Sequence, residues 1–179
     1  MTPFLQRLLA LFLILMVPSA TPMLVMASEH TSLLREARLP GTSAARLAVL
    51  AKHPDWQVRK TVAGNRRVPV TVLERLATDP EPQVRISVVT NLSTPDAIYL
   101  RLARDADESV RSVVARFEYV PVAALRILAV DDVPRIRLEV ARNWNTDVPT
   151  LEALARDSDP DISAIALQSL QKRREEAVP

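Results

Sequence analysis

Val58-Arg59, Val84-Arg85, Val110-Arg111 and Ile136-Arg137 stand 26 residues apart, and Leu50-Ala51, Leu76-Ala77, Leu102-Ala103, Leu128-Ala129 and Leu154-Ala155 keep the same step. A unit of this size cannot bury its own apolar face, so a chain that repeats at a fixed interval of roughly 20–50 residues must stack its units on one another. The interval excludes any fold that needs one large, unrepeated core.

On this ruler the units run 44–69, 70–95, 96–121, 122–147 and 148–172. In the second unit Val72, Leu73, Leu76 and Ala77 form one apolar stripe, and Val84, Val88 and Val89 form another, both at helical spacing. Each unit is therefore predicted to be two short amphipathic helices, with an acidic, proline-bearing turn such as Asp79-Pro80-Glu81-Pro82 between them. Pro69, Pro95 and Pro121 precede the first helices, while Pro82, Pro134 and Pro160 fall in the first turn of the second helices, where a missing N–H costs no intrahelical bond. Asp79, Asp105, Asp131 and Asp157 recur just before the second helices and are expected to cap them, with Asp105 and Glu108 spaced as a capping box.

Composition agrees with helices rather than tight-turned sheets: the chain has 2 Gly against 14 Pro and only 4% aromatics. Its formal net charge is +2, and Arg7 is the only charged residue before Glu29, so residues 28–179 are close to neutral. That balance provides no global basic field for nucleic acid. With no cysteine there is no disulfide framework, thiolate nucleophile or cysteine metal site.

The first 27 residues read as a separate object: a short segment with Arg7, the apolar run Leu8 to Val17, a break at Pro18, and Val25-Met26-Ala27 ahead of Ser28. This is the layout of a secretory signal peptide, with cleavage expected after Ala27 or, alternatively, after Ala20. The rival is an uncleaved N-terminal anchor, since residues 8–27 nearly reach the length that crosses a bilayer of about 30 Å. Either reading exports the rest, as a periplasmic, secreted or membrane-anchored protein. The expected organisation is then 1–27 signal peptide or anchor, 28–43 N-terminal cap with a helix over Ser32 to Leu39, 44–172 repeats, and 173–179 polar tail.

The motif Leu-Ala-x-Asp-Pro-Glu-Pro-x-Val-Arg-x-x-Val-Val-x-Asn, from Leu76 to Asn91, resembles the leucine-rich repeat variant family and its bacterial HEAT-like relatives, over about residues 44–170. The resemblance implies an all-α, right-handed solenoid of about five two-helix repeats, with one helix per unit able to be 3₁₀. It also implies a binding scaffold rather than an enzyme. Some members carry a cysteine-ligated iron–sulfur cluster, which this chain has no cysteine to hold. Asn65, Asn91 and Asn143 follow the second helices, whereas Phe117 and Ser169 break that row.

Arg59, Arg85, Arg111 and Arg137 form one row that invites a polyanion groove, but the equal period of the four aspartates assigns them to a structural ladder of bidentate pairs. Recognition belongs where the rows disagree. With the second helices on the concave face, Arg116, Arg135, Arg142 and Trp144 would form a basic, aromatic patch of the kind enriched at interfaces. Nothing supports catalysis or a cofactor. His30 and His53 adjoin no nucleophile motif, and Asp157, Asp159 and Asp161 lack the glycine and terminal glutamate of a calcium loop. The functional expectation is a non-enzymatic, exported scaffold for another protein or peptide, with polyanion binding as the alternative and a dispersed enzyme site after that. Mass spectrometry of the mature chain is expected to find Ser28 at its N-terminus, and an intact Met1 would rule out cleavage.

Overall fold

The computed structural model describes residues 21–176, and side chains from Ala27 to Glu175. The body of the expected signal segment and the last residues of the tail lie outside this range. The chain divides into two compact units, Met1–Glu36 and Ala37–Pro179. In the first, the described residues belong to helix α1 (Thr21–Arg38), which starts well before Ser32 and runs through position 27. No helix of the described residues is long and apolar enough to cross a membrane.

The described residues are all helical apart from their turns. First helices are α2 (Ala44–Leu50), α4 (Val70–Leu76), α6 (Asp96–Leu102), α8 (Val122–Leu128) and α10 (Val148–Leu154). Second helices are α3 (Trp56–Ala63), α5 (Pro82–Val89), α7 (Glu108–Arg116), α9 (Pro134–Arg142) and α11 (Pro160–Glu176). The second unit of the chain is thus a helical solenoid of two-helix repeats. Both helices of every repeat are α, with no 3₁₀ helix among the described residues. Full i→i+4 bonds form from the first turn even in seven-residue helices, as in Leu47 N–H to Ser43 (2.9 Å) and Leu73 N–H to Pro69 (3.1 Å). The last helix continues unbroken to Glu176, through the residues expected to form a tail.

Helices of seven to nine residues are marginal alone, so their stability comes from the columns they bury. Val58, Val84, Val110, Ile136 and Ile162 occupy one column, Val62, Val88, Val114, Val140 and Ala166 another, all essentially inaccessible. Leu50, Leu76, Leu102, Leu128 and Leu154 close the core from the first helices. Each such aliphatic side chain contributes about 1.5–3 kcal/mol on burial. Second helices pack directly on one another (α3 on α5, α5 on α7, α7 on α9, α9 on α11) and form the closely stacked row.

The glycine shortage has a local cause. First helices end on Ala51, Ala77, Ala103, Ala129 and Ala155, each in right-handed αR geometry. No described residue has positive φ, so no left-handed cap is needed and glycine has no privileged place.

A second clamp joins repeats on the far edge. Asn91 Nδ2 donates to Ala63 (2.6 Å) and Asn65 (3.0 Å) of the preceding repeat, while its Oδ1 accepts the N–H of Ser93 (2.9 Å). Asn65 and Asn143 repeat this pattern onto Ala37 and Leu39, and onto Ala115 and Phe117. Phe117 takes the asparagine's place in the third repeat, leaving the Val89 carbonyl to be satisfied from elsewhere. Tyr99 does so: it stands where other repeats have Leu73, Leu125 and Leu151, and its hydroxyl donates to Val89 at 3.0 Å. Its ring stacks on Phe117 at 6.0 Å between centroids. Burial, followed by the nearby Asp96 charge, pushes the phenol up to about 12, so it remains a donor at any ordinary pH.

Tyr99→Phe is expected to cost about 1–2 kcal/mol by stranding a buried carbonyl. The pair Tyr99→Leu with Phe117→Asn restores the arrangement of the other repeats, and is expected to lose at least about 1 kcal/mol less than the summed single changes in urea unfolding. Strict additivity would show that the two aromatics are unrelated.

Candidate functional site

The aspartate row sits two residues before the helix N-caps rather than on them. Asp79 Oδ1 accepts the N–H of Glu81 (3.0 Å), and Asp105, Asp131 and Asp157 accept those of Asp107, Val133 and Asp159. The capping side chains are others: Asp55 accepts from Gln57, Asp107 from Ser109, and Asp159 from Asp161. Asp105 and Glu108 therefore form no capping box, because the α7 cap falls at Asp107. Orienting the turn carboxylate this way leaves both its oxygens facing the preceding repeat.

The ladder arginine arrives there. Arg59 Nε and Nη2 bind the two oxygens of Asp79 at 2.6 and 2.8 Å, and Arg85 binds Asp105 at 2.7 and 2.7 Å. Arg111 on Asp131 and Arg137 on Asp157 are likewise bidentate. The remaining Nη1 turns back to its own repeat's carbonyls, those of His53 and Pro54 for Arg59 and of Asp79 and Pro80 for Arg85. Each guanidinium thus ties one turn to the next, and the carboxylates it meets are only 6–8% exposed. These arginines present no free fork to a ligand.

The ladder ends in two different ways. At its start His53 occupies the aspartate position, and its Nδ1 accepts the N–H of Asp55 (3.1 Å) as Asp79 Oδ1 accepts that of Glu81. No ladder arginine precedes it, so a neutral acceptor suffices for the turn. At the other end Ser163 replaces arginine and its hydroxyl donates to Ala155 (2.7 Å).

The variable residues remain on the surface. Arg116, Arg135, Arg142 and Trp144 are all exposed, the indole to 67%. They fall into two clefts of about 460 Å³ each. Arg116 and Arg135 line one together with Asp107, Glu108 and Ser112, a mixed-charge surface. Arg142 and Trp144 line the other with Asn145, Ser169, Lys172 and Arg173, where every charged side chain is cationic. Arg173 donates to the Trp144 carbonyl, which fixes α11 against the loop after α9. The patch read from the sequence lacks Lys172 and Arg173, since the repeats are expected to end at 172 and a polar tail to begin at 173, whereas α11 runs on to Glu176. The loop position after each second helix also varies as Arg66, Leu92, Glu118 and Trp144, and Leu92 (65%) and the adjacent Tyr119 (59%) are exposed like the tryptophan. That row was legible as a disagreement in the repeat, but its exposure was not. The other tryptophan, Trp56, is partly covered by Lys60, whose ammonium lies 5.7 Å from the ring centre. Among the described residues no acidic, histidine or cysteine group is arranged to hold a metal ion.

These features define an all-helical repeat protein of stacked two-helix units. The leucine rich repeat variant family model matches residues 56–81 and 134–159. The resemblance therefore holds at two repeat positions, and each matched segment contains one whole rung, Arg59 with Asp79 or Arg137 with Asp157. No curated protein matches the chain. Among solved structures, the crystal structure of an engineered protein aligns over 80% of this chain and 88% of its own, at 18% identity and a TM-score of 0.46.

Asp79, Asp131 and Asp157 are held below the usual carboxylate range. For Asp79 and Asp131 burial pushes upward, but the arginine hydrogen bond, the turn N–H and the flanking arginine charges together outweigh it. For Asp157 the hydrogen bond from Arg137 dominates. A depressed folded-state value means that this stabilisation is complete above the unfolded value of about 3.9 and is lost as pH falls through the folded values. The urea midpoint is expected to decline on acidification below about pH 4, and a midpoint constant down to about pH 2 would contradict the linkage. Arg85→Ala, which strands a buried carboxylate, is expected to cost about 3–5 kcal/mol. Arg126→Ala is expected to lower the urea midpoint far less than Arg85→Ala, because Arg126 is 61% exposed in its pair with Asp147 and solvent screens the attraction.

Proposed function

We propose that this protein is a non-enzymatic, exported scaffold whose helical repeats present a preformed surface to another protein. Helical repeat solenoids serve generally in protein–protein interaction, and a preordered surface loses little conformational entropy on binding. The observation that carries the reading is a division of labour. Period-locked side chains are consumed in holding repeats together, whereas side chains that break the period stay exposed, Leu92, Tyr119 and Trp144 as well as Arg116, Arg135 and Arg142. Arginine and tryptophan are the residues most often found at binding hot spots.

Export rests on the leader pattern of residues 1–27, with periplasmic or secreted placement if it is cleaved and membrane attachment if it is retained. The right hand of the superhelix is inferred from the family resemblance. Against polyanion binding stand the near-neutral composition of residues 28–179 and the carboxylates already engaged by the ladder arginines. Crosslinking in the native envelope followed by mass spectrometry is expected to recover discrete protein partners. Arg116→Glu with Arg142→Glu is expected to lose them while the melting temperature is retained; recovery of the same partners from the double variant would remove this surface from consideration.

A further inference from the structure

Going beyond the scaffold reading, we infer that the edge formed by the loops between repeats is a docking surface for an anionic lipid bilayer, which the exposed Leu92, Tyr119 and Trp144 enter at headgroup depth. First helices start at this edge and second helices end there, so successive loops lie side by side along the stack. Among the described residues, six of the nine exposed large hydrophobic side chains belong to it: Leu39, Val70, Leu92, Tyr119, Trp144 and Val148. The other three, Val49, Val130 and Leu167, are scattered over α2, the opposite edge and α11. Apolar side chains exposed singly carry no message, but their concentration on one edge marks an interaction surface.

The tips are held in place by their own loops. Asn91 Oδ1 accepts the Ser93 N–H (2.9 Å) and Asn143 Oδ1 that of Asn145 (2.8 Å), so Leu92 and Trp144 each stand inside a closed turn. Tyr119 lies edge-on to Phe117 at 5.7 Å between ring centres, and Phe117 is stacked on the buried Tyr99. With packed helices about 8–10 Å apart, the three side chains extend over about 16–20 Å, one to each loop. A line of single tips offers a folded partner no pocket, whereas the soft face of a bilayer closes around each tip. Tyrosine and tryptophan suit that boundary, because the ring is apolar while its O–H or N–H stays in contact with water.

Charge points the same way. Arg66 and Arg67 lie in the loop after α3, and Arg142 ends α9 beside the Trp144 loop; all three are exposed. Glu118 and Asp96 are exposed on the same edge, so the cationic excess is small and binding needs apolar tips and charge together. The turns of the ladder edge have the reverse balance: beyond the paired aspartates, Asp55, Glu81, Asp107, Asp132 and Asp159 outnumber Lys52, Arg104 and Arg156. An anionic surface therefore attracts the loop edge and repels the ladder edge.

The test uses the full chain with Trp56→Phe, which leaves Trp144 as the sole tryptophan. Vesicles of phosphatidylglycerol and phosphatidylcholine in equal parts are expected to shift Trp144 emission to shorter wavelength, shield it from aqueous iodide and expose it to quenching by acyl-chain bromine. Pure phosphatidylcholine is expected to need about tenfold more lipid for the same change. Leu92→Ser is expected to raise the lipid concentration at half-change about threefold or more, and Arg66→Glu with Arg67→Glu about tenfold, while Val130→Ser on the ladder edge changes it less than about twofold. Circular dichroism confirms that each variant is folded. Association through residues 1–27 alone would leave Trp144 open to iodide and would overturn the inference. So would an equal response to pure phosphatidylcholine, or equal effects of Leu92→Ser and Val130→Ser. Envelope protein crosslinks retained while Trp144 stays open to iodide sink the membrane edge and leave the scaffold standing; lipid burial of Trp144 with no protein partner in the envelope does the reverse.

Discussion

The bidentate arginine–aspartate pair between successive repeats is the interaction on which this fold turns. Hydrophobic columns supply most of the driving force, but Val58, Val84, Val110 and Ile136 could be buried with their helices rotated or slid by a few ångströms. A planar guanidinium held at three points allows no such latitude. Arg85 is tied to two oxygens of Asp105 and to the Asp79 carbonyl, so the turn of one repeat and the turn of the next are set at a defined distance and orientation. Asp105 is in turn oriented by the Asp107 N–H. The same atoms that satisfy a turn thereby set its register against its neighbour, which is why arginine and aspartate share the period of the core.

Asparagine performs a related task on the opposite edge with neutral groups. Its amide reaches back to two carbonyls of the preceding segment, one of which also accepts a turn N–H (from Val68 at Asn65, Thr42 at Leu39 and Val120 at Phe117), and its oxygen closes the following turn. The third repeat shows that the requirement is for the carbonyls rather than for asparagine itself: Tyr99 reaches Val89 from the neighbouring first helix, and Phe117 fills the vacated space. The ends follow the same logic. His53 satisfies a turn that no ladder arginine approaches, and Ser163, standing in the arginine row, donates instead to the Ala155 carbonyl of its own repeat. A second copy stacked end to end would not continue the rungs.

Much of the repeat was legible before any coordinates. The helix pairs, the prolines at their starts and the alternation of Leu-Ala with Val-Arg follow from period and hydrophobic spacing, because both are local properties of the chain. The pairing of the arginine and aspartate rows was legible in kind, since two oppositely charged rows of equal period run parallel along a stack and, where they meet, pair at every repeat. The function of Asn65, Asn91 and Asn143 was not, because its carbonyl partners lie 26 and 28 residues earlier and carry no side-chain signature. Nor was the division of Arg116, Arg135, Arg142 and Trp144 between two clefts, which depends on how α11 extends beyond the repeat to bring Lys172 and Arg173 beside the tryptophan.

The sequence by itself determined that the chain is a stack of near-identical helical units, because a repeated apolar pattern admits burial only against copies of itself. It also determined which residues are common property of the stack and which are individual. Tertiary structure alone decided what the individual residues face. Exposure and the sign of a local field depend on which side chains from distant repeats converge, and beside the exposed Trp144 that convergence brings Arg142 of one repeat together with Lys172 and Arg173 of the last helix.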